Sequence, residues 1–254
     1  VFNIESSILK REEPIVQELA TEYLTEQGIT ILNNVTLDSV SNDDNKPVIK
    51  ANNQNYTFDA VLYATGRKAN TANIGLEHTD IATNERGAIV VNDTCESSVP
   101  GVYAVGDVNG GPQFTYVSLD DFRIVFGALT GNSQYTLKDR KNIPYTTFLT
   151  PPLSRVGLTE EDAINQGYTV KTKEMLVATM PRAHVNDYLK GAFKIVVDAD
   201  NDLILGATLY SQGAEELINL IKMAMDNNIP YTYFKNQIFT HPTMAENLND
   251  LCNF

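Results

Sequence analysis

The chain has 254 residues, 43% of them hydrophobic, enough to bury a sizeable core in one or two domains. A formal charge of −13 argues against the Lys/Arg-rich face that nucleic acid or an anionic membrane requires, and no apolar run approaches the roughly 20 residues that span a bilayer. Two cysteines, Cys95 and Cys252, make no disulfide framework; with no basic-apolar leader pattern at Val1, the expectation is a cytoplasmic protein.

Taken in chain order, residues 1–4 read as the end of a strand. Residues 12–27 predict an amphipathic helix, with Pro14 in its first turn and Ile15, Val16, Leu19, Ala20, Tyr23 and Leu24 on one face. Gly28 fits the left-handed position that ends it. Strands are expected at 29–33, 35–41 and 46–51, separated by Asn/Asp-rich turns. The apolar run Ala60-Val61-Leu62-Tyr63-Ala64 reads as a buried strand ending in Thr65-Gly66-Arg67. From 67 to 138 the pattern is loops, a short strand Gly101–Val105 and a helix near 116–129, followed by a charged connector at 138–142. The last region predicts helices at 159–166, 213–227 and 243–251 and strands near 168–178, 191–198 and 203–210. The last two strands form a hairpin through Asp198–Asp202. The fold class expected is α/β plus α+β: a remnant of a Rossmann-like, dinucleotide-binding unit, then an α+β unit of strands and packed helices.

Two short segments carry chemistry. Gly101-Val102-Tyr103-Ala104-Val105-Gly106-Asp107 delivers Gly106, where a hydrogen side chain permits close backbone approach, and then a carboxylate. Such a carboxylate, at the C-terminal end of a strand, stands at the edge where open α/β sheets bind ligands. The same residues also describe a plain Gly-Asp turn. In Phe239-Thr240-His241-Pro242-Thr243-Met244-Ala245-Glu246, one of only three histidines precedes a proline and lies five residues ahead of a carboxylate. A carboxylate held against imidazole raises its basicity and fixes its orientation, which suits proton transfer to and from a thiol. A lone histidine is more often structural, and Thr243-x-x-Glu246 is also a capping box. Both readings can hold, since a helix begun at Thr243 projects His241 ahead of it. Cys95 and Cys252 form no Cys-x-x-x-x-Cys pair, and nothing around either suggests a depressed pKa.

Together the two segments resemble the class I pyridine nucleotide-disulfide oxidoreductases, the glutathione reductase and dihydrolipoamide dehydrogenase superfamily. Thr94 through Asp107 is similar to the family's second FAD fingerprint, and Ala64-Thr65-Gly66-Arg67 to the return from NAD(P) domain to FAD domain. Phe148-Leu149-Thr150-Pro151-Pro152 and Val156-Gly157-Leu158-Thr159-Glu160-Glu161-Asp162-Ala163 resemble the opening of its interface domain. The resemblance implies that 1–66 is the C-terminal half of an NAD(P)-binding domain, 67–138 the returning part of an FAD-binding domain, and 139–254 an interface domain. It also implies an FAD site at Gly66, Gly106, Asp107 and the backbone of Gln113, Phe114 and Thr115, with no metal. His241 and Glu246 become an acid/base pair serving the partner subunit of a homodimer. Electrons would pass from NAD(P)H to FAD, to a cysteine pair, and on to a small-molecule disulfide or oxidant.

The sequence holds no Gly-x-Gly-x-x-Gly loop and no such cysteine pair, so the expectation is the C-terminal part of a longer enzyme, inactive by itself. The segments 110–123, 150–157 and Met180-Pro181-Arg182-Ala183 resemble the mercuric-reductase-related branch that includes reactive-chlorine resistance and hypothiocyanous acid reductases. Dihydrolipoamide dehydrogenase is an alternative, but its His-x-His-Pro pattern is Phe239-Thr240-His241-Pro242 here. A mercuric reductase is another, although Cys252 stands alone where those enzymes carry a vicinal pair. A catalytically silent dimerisation module is the third. Asn3 stands where NAD-dependent relatives often carry an acidic residue, which leaves NADH against NADPH open.

Overall fold

Pro14 at the first helical position and Gly28 at φ +85° bracket helix α1 (Pro14–Glu26), as the sequence predicts. Its inward face, Val16, Ala20 and Tyr23, packs with Leu153 and Tyr210. The computed structural model describes residues 1–254 and divides them into two units, Val1–Val61 with Asn142–Phe254, and Leu62–Lys141.

In the first unit a three-stranded antiparallel meander follows α1: β1 (Leu37–Asp43), β2 (Lys46–Ala51) and β3 (Gln54–Thr57). Both hairpin loops are two residues long, Asp44-Asn45 and Asn52-Asn53, and all four have positive φ. Asn and Asp tolerate that region, and the resulting turn matches the right-handed strand twist. The expected strand at 29–33 is reduced to one parallel bridge, Phe2 to Leu32. The expected strand Ala60–Ala64 does not form. No strand pairs with it, and Leu62 is 90% exposed, so its apolar residues have no sheet face to enter.

The larger sheet is antiparallel, with spatial order β4 (Tyr145–Thr147), β5 (Leu153–Gly157), β8 (Ile204–Tyr210), β7 (Ala192–Asp198) and β6 (Val170–Leu176). Every residue of β7 is buried. Helices α3 (Glu160–Asn165), α4 (Pro181–Val185), α5 (Ala214–Asp226), α6 (Tyr231–Asn236) and α7 (Asn247–Leu251) complete this region. Phe193, Ile195, Leu209, Ile218, Ile221, Leu248 and Leu251 form its core. Thr159 caps α3 through a capping box: its side chain accepts the Asp162 N–H at 3.1 Å, and Asp162 accepts the Thr159 N–H at 3.3 Å.

A charged seam fastens α1 to this sheet. Lys194 of β7 lies 3.0 Å from Glu13, 2.7 Å from Glu160 and 3.0 Å from Glu174, with its side chain 6% exposed. Burial alone would pull its pKa down, but the three carboxylates outweigh burial and the net shift is upward.

The second unit, Leu62–Lys141, has little regular structure beyond helix α2 (Thr115–Thr130). The expected strand Gly101–Val105 is also absent. Tyr103 makes a single bridge to Glu96, and Gly106–Asn109 tightens directly into a 3-10 turn.

Candidate active site

His241 and Glu246 meet as the sequence suggests. His241 Nδ1 lies 2.7 Å from Glu246 Oε2. The other carboxylate oxygen, Oε1, accepts the Thr243 backbone N–H at 3.0 Å, and Thr243 Oγ1 accepts the Glu246 N–H at 3.2 Å. The capping box and the histidine contact therefore coexist on one carboxylate. Regular α-helix begins only at Asn247, so the expected helix 243–251 is a capped turn plus α7. The hydrogen bond from His241, then the Thr243 N–H, hold the Glu246 carboxyl below its ordinary range. With Nδ1 engaged and the His241 side chain 69% exposed, Nε2 is the nitrogen left to exchange protons with an incoming group.

Sequence reasoning missed how this loop is clamped. Asn249 Nδ2 donates to the carbonyls of Phe234 at 2.6 Å and Gln237 at 2.9 Å, holding the chain that leads into His241. Asn247, buried, donates to the Thr243 and Met244 carbonyls just beyond it. No local pattern announces these contacts, since asparagines in a short helix read as solvent-facing.

In the second unit, Gly106 is buried at φ +73°, and a Cβ there would meet Ser118 Oγ at 2.6 Å, so the turn presses against α2. Asp107 stands exposed on the same turn. Phe114 is extended at φ −131° and opens α2 at Thr115, placing Gln113, Phe114 and Thr115 around the helix N-terminus, the end that favours negative charge. An exposed carboxylate for sugar-like hydroxyls and a 16-residue helix N-terminus for an electron-rich ring edge fit FAD. Gly66 sits at φ +112° in an exposed, unpaired stretch, and no hydrogen bond ties it to the Gly106–Thr115 group. Asp121 and Arg140, beneath the turn, were not anticipated. The available signal was a carboxylate inside the apolar stripe Val117, Asp121, Ile124.

Neither cysteine is poised for thiolate chemistry. Both are buried; burial first, then the Asp121 charge, push Cys95 to about 11, and burial pushes Cys252 to about 12.

Two family models match the chain: "Pyridine nucleotide-disulphide oxidoreductase" over residues 1–121 and "Pyridine nucleotide-disulphide oxidoreductase, dimerisation domain" over residues 143–252. The chain belongs to the pyridine nucleotide-disulphide oxidoreductases. It is 41% identical over 251 residues to the probable pyridine nucleotide-disulfide oxidoreductase RclA of Escherichia coli, covering 99% of this chain and 57% of that protein. The solved structure of the HOCl-induced flavoprotein disulfide reductase RclA from Escherichia coli superposes with a TM-score of 0.94 at 41% identity, covering 99% of this chain and 58% of that chain. A mercuric reductase of Staphylococcus aureus is 34% identical over 95% of this chain and 45% of that protein. The chain thus spans about half the length of the curated relatives it matches. The oxidoreductase fold, a Rossmann-like part followed by a dimerisation domain, agrees with the expected fold class. No helix is long and apolar enough to cross a membrane.

Proposed function

We propose that this chain supplies the flavin-facing and partner-facing part of an FAD-dependent NAD(P)H:disulfide or thiol-oxidant oxidoreductase, working as a homodimer in the cytoplasm. The observation that carries the reading is the His241–Glu246 pair, built into a capped turn of the region matched by the dimerisation-domain model. In the proposal, residues 1–66 contribute to nicotinamide binding, 67–138 to flavin binding and 139–254 to the two-fold interface.

FAD, when bound, would supply the relay of electrons from a nicotinamide to a cysteine pair that the 254 residues do not themselves contain. Asp107 would accept hydrogen bonds from the sugar-alcohol chain of FAD, Gly66 would leave room for close backbone approach, Gly106 would let the turn seat against α2, and the Gln113–Thr115 backbone would border the ring. His241 acts on the partner subunit's site, so each centre is complete only in the dimer. Its Nε2 takes a proton from an attacking thiol and returns one to a departing thiolate, while Glu246 holds the ring by Nδ1 and stabilises the imidazolium. The substrate is a small-molecule disulfide or oxidant. Mercury is disfavoured because Cys252 is single and buried.

The test is the visible absorption spectrum of the product of the complete reading frame, before and after anaerobic NAD(P)H. A bound-flavin spectrum that gains a long-wavelength thiolate-to-flavin band supports the reading. A colourless protein, or flavin that reduces without that band, removes the dithiol mechanism and favours a silent dimerisation module or a plain flavin reductase. If the band is present, His241→Ala is expected to slow substrate reduction by about 10²–10⁴-fold while leaving reduction by NAD(P)H unchanged.

A further inference from the structure

Beneath the turn that carries Asp107 lies a charge that the proposed reaction does not use. Asp121 has no exposed surface and sits on the inward face of α2, between Val117 and Ile124. A carboxylate so placed is costly unless it is paired and fully hydrogen-bonded. It is. Oδ2 accepts the Gly106 backbone N–H at 2.7 Å and the Asn109 side-chain amide at 2.9 Å, while Oδ1 accepts from Arg140 Nη2. Arg140 also donates Nε to Asp120 Oδ2 at 2.7 Å, and its side chain is 11% exposed. One carboxylate therefore joins three pieces of chain: the helix α2, both ends of the turn Gly106–Asn109, and the connector at Arg140.

We propose that Asp121, backed by Arg140, is the positioning residue of the flavin-binding turn, fixing where the Asp107 carboxylate stands. The proposal rests on reading Asp107 as a ligand of FAD. An apolar side chain of similar size would fill the space under α2 equally well. Only an acceptor can hold the Gly106 N–H, and hydrogen bonds to an ionised acceptor are about twice as strong as neutral ones. The pairing is directional too, because Arg140 engages the two neighbouring aspartates through separate nitrogens, Nε and Nη2, which fixes the Asp121 carboxylate in orientation as well as in charge.

The experiment compares Asp121→Asn, Asp107→Asn and Arg140→Lys in the full-length enzyme. Three quantities are read: backbone hydrogen exchange over 104–111 without flavin, the FAD dissociation constant, and the visible circular dichroism of bound flavin. Asp121→Asn is expected to accelerate exchange at Gly106 at least tenfold, to raise the FAD dissociation constant at least tenfold and to alter the flavin dichroism. Exchange in the five-stranded sheet stays as in the parent. Asp107→Asn weakens FAD with Gly106 protection intact. Arg140→Lys, which keeps the charge and removes the two-nitrogen grip, is expected to raise Gly106 exchange and the FAD dissociation constant by about threefold each, and it serves where Asp121→Asn does not fold. If Asp107→Asn weakens FAD while the Asp121 and Arg140 variants bind it within twofold of the parent, the positioning role is overturned. If Asp107→Asn leaves FAD binding unchanged, the reading of the site falls, and the positioning role with it.

Discussion

In the five-stranded sheet and its helices, Phe193, Ile195, Leu209, Ile221 and Leu248 are without exposed surface and touch one another through a continuous apolar core. In Leu62–Lys141 the side chains without exposed surface are Cys95, Asp121 and Ile124, and one of these is an ion-paired carboxylate. Leu119, Phe122, Phe126 and Leu129, spaced along one face of α2, are all half-exposed or more. Burial of apolar area holds the first region, a non-directional force that tolerates local change; a few directed bonds hold the second. The region proposed to bring a partner's site its histidine rests on the sturdier of the two.

Substitutions should separate these regimes. Phe193→Ala leaves a cavity in the core beside the start of β7 and is expected to cost about 3–5 kcal/mol, seen as a lower denaturation midpoint for the sheet region. A loss under ~1 kcal/mol would mean that the core is not what holds that region. Arg140→Met strands Asp121 as an unpaired buried charge, a loss on the order of 3 kcal/mol. It should be confined to hydrogen exchange within Leu62–Lys141; a matching loss of protection in β7 and β8 would erase the contrast between the two regions. Thr159→Ala removes the α3 cap and should cost about 1 kcal/mol, fraying only the first turn of that helix.

What the sequence made legible follows the same division. Asp44-Asn45 announces its hairpin because the turn chemistry is local, whereas strand β3 beyond Asn52-Asn53 was not expected, being only four residues long. Thr159 with Asp162, and Thr243 with Glu246, likewise carry their instructions within four residues. Strands β4 and β5 were not anticipated as strands: Pro151 and Pro152 interrupt the apolar pattern, and the pairing of Tyr145 with Arg155 is settled only by the neighbouring sheet. Ala60–Ala64 shows the opposite failure, an apolar run with strand composition and no strand to pair with. Lys194 and Asp121 were illegible for a shared reason. Charged residues read as solvent-facing until their partners are known, and those partners come from Glu13, Glu160 and Glu174 in one case, from Gly106, Asn109 and Arg140 in the other.

The smallest expected effect lies at Glu246, where the two regimes meet in one side chain. Its carboxyl is held below the ordinary range by the His241 hydrogen bond first and the Thr243 N–H second. A carboxyl with a depressed folded pKa contributes stability that is fully present above the unfolded value, about 4.3, and is lost as pH falls through the folded value. Between pH 5 and 8 the capped turn should therefore be indifferent to the Glu246 proton. Below about pH 4 the turn ahead of α7 should loosen while β7, held by apolar burial, keeps its protection. Backbone hydrogen exchange over 243–251 follows the acid-side loosening, and nitrogen NMR of the three histidine rings at about pH 8, where an imidazole is neutral, reads the tautomer that Glu246 favours by accepting from Nδ1. Glu246→Gln keeps an N3 side chain able to complete the box but removes the ionised acceptor. It is expected to leave α7 folded, abolish the acid-side loosening and shift His241 toward a mixture of tautomers. A His241 tautomer unchanged by Glu246→Gln would show that the loop backbone, clamped by Asn247 and Asn249, fixes the ring without help from the carboxylate.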